Sequence, residues 1–175
     1  MVKSLRWVER QLEVLDQLQL PYVQKYIPVR NAEDGWRVIK EMRVRGAPAI
    51  AIVAMLSLAA DLNEQIVTGR LPDDSQQVTD YIVEKLDYLV TSRPTAVNLS
   101  EAANRSKGRV ETKGRENTPG KGVAETFISA AEDLLKQDVL DNHRLGENGE
   151  RWILDHTGLG TEKRPVSILT HCNTG

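Results

Sequence analysis

A chain of 175 residues, 40% hydrophobic and 27% charged, has the composition of a folded globular protein and room for one ordinary domain, or a small domain plus the opening of a second. A formal net charge of -2 argues against nucleic acid or an anionic membrane as the main partner. Cys172 is the single cysteine and His143, His156 and His171 the only histidines, so an internal disulfide is excluded and no structural metal site is expected.

The N-terminus carries Lys3, Arg6, Glu9 and Arg10, where a secretory signal needs an unbroken apolar run. A cytoplasmic protein is expected, with the nucleus as a second location. Short runs rich in β-formers at Leu5–Val8, Leu12–Leu15 and Tyr22–Val29 predict a small antiparallel sheet. Asn31, followed at the third helical position by Asp34, reads as a helix cap. The helix it opens is expected over Ala32–Arg43, with Trp36, Ile39 and Met42 on one face. After a turn at Gly46, Pro48 suits the first turn of the next helix, since its missing N–H has no partner there. The apolar segment Ala47–Ala60 falls short of the roughly 20 residues that span a bilayer. A buried helix is expected. A third helix is predicted over Ser75–Val90, with Val78, Ile82, Leu86 and Leu89 inward, and Pro94 and Thr95 are expected to open a fourth.

Between Arg105 and Lys121 six basic residues stand against two acidic ones, with almost nothing apolar. This predicts a mobile surface loop whose charge is solvated rather than bound to phosphate. A long amphipathic helix should follow, with Phe127, Ala131, Leu134, Leu135 and Leu140 inward, and then a short helix around Glu150–Asp155. Pro165–Thr170 reads as a strand standing alone, which is not stable by itself. A strand followed by a polar turn is how a βα unit of a parallel sheet begins. The expected organisation is therefore an N-terminal domain over residues 1–143 and, over 144–175, a linker helix with the first strand of a second domain that continues downstream.

Three places carry candidate chemistry. Arg45, Gly46 and Ala47 put a guanidinium and a glycine before a helix start, where free amides and the helix dipole attract anions. A plain helix–helix turn with an exposed arginine fits the same spacing. Arg93, just before Pro94, repeats the pattern, and two such turns can converge on one phosphorylated ligand. Cys172 follows the last strand, in a turn whose amides can stabilise a thiolate. An inert buried thiol is the alternative. His171 should point to the opposite face from Cys172.

Taken together, RVRGAPAIAIVAMLSLA (residues 43–59), LVTSRPTAVNL (89–99) and ILTHCNTG (168–175) resemble the methylthioribose-1-phosphate isomerases, and LEVLDQLQLP (12–21) agrees. RGAPAI alone is shared across a wider superfamily. That superfamily also holds ribose-1,5-bisphosphate isomerases and the non-enzymatic regulatory subunits of the translation-initiation guanine-nucleotide exchange factor. The resemblance implies an α/β protein, with a mostly helical N-terminal domain bearing a small antiparallel sheet and then a Rossmann-like domain of which only the first strand is present. It implies an aldose–ketose isomerase of methionine salvage that needs no cofactor and no metal. The substrate is a sugar phosphate and the full-length protein a homodimer. Position by position, Arg45, Gly46 and Ala47 match the family's substrate-binding turn, Arg93 its second substrate-binding arginine and Cys172 its active-site cysteine. The family's catalytic aspartate lies downstream, so little or no turnover is expected from these 175 residues alone.

Overall fold

The computed structural model describes residues 3–116, 118–157 and 167–169. Strands β1 (Leu5–Val8), β2 (Gln11–Leu15) and β3 (Tyr26–Val29) form an antiparallel sheet in that order. Leu12 and Val14, two apart in β2, are buried as a half-covered strand requires. The third strand is shorter than predicted, since Tyr22–Lys25 lies outside it. Val8 pairs with Gln11, which leaves Glu9 and Arg10 as a two-residue turn with φ of 50° and 60°. This is the left-handed turn that suits the twist of a hairpin, but glycine and asparagine normally occupy it. Here the tertiary structure holds it. The Arg10 guanidinium donates to both carboxylate oxygens of Glu125, at 3.0 and 2.8 Å, and to Asn63 Oδ1.

Helix α1 covers Ala32–Lys40 and starts as predicted, the Asp34 amide donating to Asn31 Oδ1 at 2.9 Å. It ends three residues before the expected Arg43. Met42 turns left-handed (φ 60°), and the Met42 and Arg43 amides donate back to the carbonyls of Ile39 and Val38. This closes the helix as a Schellman-type cap. Met42 is consequently exposed and does not share the face of Ile39. Helix α2 (Ala47–Val67) is buried without interruption from Ile50 to Ala60. It forms the core, packed against β2, α1, α3 (Ser75–Val90), α4 (Val97–Gly114) and α5 (Gly120–Thr157). Gly35 of α1 crosses α2 so closely that a Cβ there would lie 2.2 Å from Ser57 Oγ. In α3 the four residues predicted inward, Val78, Ile82, Leu86 and Leu89, are all buried.

Two sequence expectations need correction. The segment 105–121 is not a loop: α4 runs through Gly114, and Gly120 already begins α5. The stripe Leu99, Ala103, Ser106 and Val110 is buried at helical spacing, and its small residues suffice because α4 lies close against α2 and α3. Secondly, the short helix predicted at Glu150–Asp155 is not separate: α5 continues unbroken through it to Thr157. Phe127 and Ala131 are buried, but Leu140 is half exposed. The predicted strand at Pro165–Thr170 lies outside the described residues except for Ser167–Leu169, which are exposed and in no regular element.

Candidate functional site

The turn from Met42 to Gly46 is built by alternation. Arg43 reaches back toward β2, Val44 is buried in the core, and Arg45 is half exposed. Gly46 caps α2 with φ 96°, a conformation that glycine adopts without strain. Arg45 Nε donates to the Met42 carbonyl at 3.2 Å, and no carboxylate among the described residues pairs with its guanidinium. Its terminal nitrogens have no partner among the described residues.

Arg93 sits in the turn between α3 and α4. Ser92 is buried and donates to the Leu89 carbonyl, and the Ala96 amide donates to the Arg93 carbonyl at 2.9 Å. Pro94 and Thr95 belong to this turn rather than to the helix, which starts at Val97. The proline leaves one amide fewer to satisfy but does not itself open α4. The Arg93 side chain has no partner among the described residues.

A contrast between helix starts gives these turns their electrostatic character. Asn31 caps α1 and Asp74 caps α3 through side-chain hydrogen bonds. The two helices that follow the arginines, α2 and α4, have neither a side-chain cap nor an acidic residue in the first turn. Their leading amides and positive dipole ends are thus left for an anion. Pro48 near the start of α2 and Asn98 near the start of α4 line one cleft of about 410 Å³, whose charged lining is Arg105 with three carboxylates, Glu101 of α4 and Asp138 and Asp141 of α5. Arg45 and Arg93 do not line it themselves; each precedes the helix start that does. Burial, and then the charge of Asp141, push the Asp138 carboxyl above its ordinary range. Cys172 and His171 lie outside the described residues, so the structure brings together the helix starts without the thiol. His143 and His156 are exposed on α5. A larger cavity, about 680 Å³, is elsewhere, between the β1–β2 turn and the second half of α2, and holds none of the predicted site residues.

Sequence reasoning did not single out Asp16 or Arg43. Asp16 is wholly buried, and its carboxylate accepts from the Leu18 amide at 3.1 Å, from Gln19 Nε2 at 2.8 Å and from Arg43 Nη1 at 2.5 Å. Burial would raise its pKa, but the bonds from Gln19 and Leu18 and the Arg43 charge outweigh that and hold it below the ordinary carboxylate range. No local sequence signal pairs the two, which stand 27 residues apart.

The model of the Initiation factor 2 subunit family matches residues 43–175. Among curated relatives, a methylthioribose-1-phosphate isomerase from Arthroderma otae is 54% identical over 99% of this chain and 46% of its own length. One from Neosartorya fischeri is 51% identical, over 99% and 45%. Among solved structures, 5-methylthioribose 1-phosphate isomerase from Pyrococcus horikoshii superposes with a TM-score of 0.69 at 27% identity, covering 85% of this chain and 40% of the other. The translation initiation factor eIF-2B subunit delta from A. fulgidus gives 0.66 at 30% identity, over 79% and 38%. The chain spans about half the length of the curated relatives it matches.

Proposed function

The chain belongs to the initiation factor 2 subunit family, and on that footing we propose that the protein carrying it is an isomerase converting 5-methylthioribose 1-phosphate to 5-methylthioribulose 1-phosphate. The observation that carries this reading is the identity of about half, over 99% of the chain, to proteins bearing the isomerase name. The geometry suits the chemistry. The substrate's C1 phosphate blocks spontaneous ring opening, so it must be gripped while the ring oxygen is protonated and hydrogen moves from C2 to C1. Arg45, whose terminal nitrogens are unengaged among the described residues, holds the phosphate together with the amides at Gly46 and Ala47, and Arg93 supplies a second cation. Cys172 serves as one acid–base group and a downstream carboxyl as the other. Homodimer formation and a cytoplasmic or nuclear location belong to the same reading.

A second reading is a non-enzymatic subunit of the translation-initiation exchange factor, favoured by the comparable superposition on the eIF-2B subunit. Offering methylthioribose 1-phosphate and, in parallel, ribose 1,5-bisphosphate to the full-length protein separates the alternatives. Turnover of the first is expected. Turnover of the bisphosphate alone would redirect the substrate, and turnover of neither would favour the subunit.

A further inference from the structure

The turn carrying Arg45 is held by residues that do not line the cleft. Arg43 is held by consecutive residues of the loop after β2, its guanidinium donating to Asp16 and its carbonyl accepting the Gln17 amide at 3.0 Å, while its Nε donates to Glu41 at 2.6 Å. Its own amide is tied to Val38 at the end of α1, and the next residue, Val44, is in the core. The Met42 carbonyl, aimed by that residue's left-handed backbone, is the acceptor for Arg45 Nε. The position of the Arg45 guanidinium therefore follows from the placement of Arg43. Burying a carboxylate is expensive, and a well-packed apolar residue often serves stability as well or better, so stability alone does not account for an ionised group here. We propose that Asp16, acting through Arg43, is a positioning residue that fixes the Met42–Gly46 backbone and thereby the place where Arg45 meets its anion. The inference rests on the reading that Arg45 binds the substrate phosphate.

The test is a mutant cycle in the full-length protein with Asp16→Asn, Arg45→Ala and the double variant, reading kcat and KM for methylthioribose 1-phosphate. Asp16→Asn should raise KM about tenfold with a smaller effect on kcat, and should add nothing once Arg45 is alanine. Additive losses in the double variant would overturn the inference while leaving the isomerase reading intact. If the wild-type protein turns over no substrate, the isomerase reading fails, and the same cycle is read by calorimetric titration with inorganic phosphate. Non-additive weakening then upholds the positioning role, and additive weakening or no phosphate binding overturns it. Should Asp16→Asn not fold, Arg43→Gln replaces it, because that side chain is one-third exposed and its loss leaves Asp16 its other two donors. Arg43→Lys should restore part of the loss if charge at that position is what matters.

Discussion

Arg45 and Asp16 show two opposite uses of charge in neighbouring turns. The Arg45 guanidinium is anchored by a single bond to a carbonyl and has no other partner among the described residues. In the full-length protein, Arg45→Ala should weaken substrate binding by about 1.5–3 kcal/mol, the range for a hydrogen bond to a charged group. Unchanged affinity would remove it from the site. Asp16 is the one buried carboxylate among the described residues, and its pKa is lowered on folding. A carboxyl lowered on folding contributes its full stabilisation above its unfolded value, about 3.9, and loses it as pH falls through the lower folded value. Asp16→Asn should therefore cost about 1–3 kcal/mol at neutral pH, the figure for a pair whose arginine is partly solvated. The gap between wild type and variant should narrow below about pH 4. Urea unfolding across that range checks both statements, and a gap independent of pH would show that the ionised form is not what stabilises.

Element by element, legibility followed the contrast between faces. The third helix could be read to its ends because Val78, Ile82, Leu86 and Leu89 are large and evenly spaced and Asp74 caps them. In α4 the buried face is mostly Ala and Ser, which carries little hydrophobic signal, and the six surrounding basic residues masked it. What decides there is close approach of helices, a tertiary fact. The site was half legible: a glycine and an arginine before a proline-started helix could be seen, but the inward course of Arg43 depends on a partner 27 residues earlier. For α5 the sequence suggested an interruption where the helix runs on. Its first part buries Val123, Ala124, Phe127, Ile128 and Ala131, whereas Val139, Leu145 and Trp152 are exposed. A helix without a packed face has little stability of its own. Amide hydrogen exchange over 141–155 should be at least about 100-fold faster than over 123–131. Equal protection would mean that another surface covers the second half.

At the scale of the whole molecule, a helical bundle wraps α2 and a three-stranded sheet is fastened to it by side chains from the hairpin turn. Besides the Arg10 contacts, Trp7 Nε1 donates to Glu132 at 3.1 Å, so α5 holds the hairpin at two points. Arg10→Ala should cost about 1–2 kcal/mol, a value kept low because both partners are about one-third exposed. It should also alter the near-ultraviolet dichroism of Trp7. A variant as stable as wild type would make the pairing ornamental. The turn at Glu9–Arg10 bears further on the order of events in folding. Its residues disfavour the left-handed backbone that they adopt, so the hairpin gains little from its own sequence, and its stabilising partner Glu125 is 115 residues away. The turn therefore owes its conformation to long-range contacts with Asn63 of α2 and Glu125 of α5, and in refolding its ordering should follow the docking of those helices.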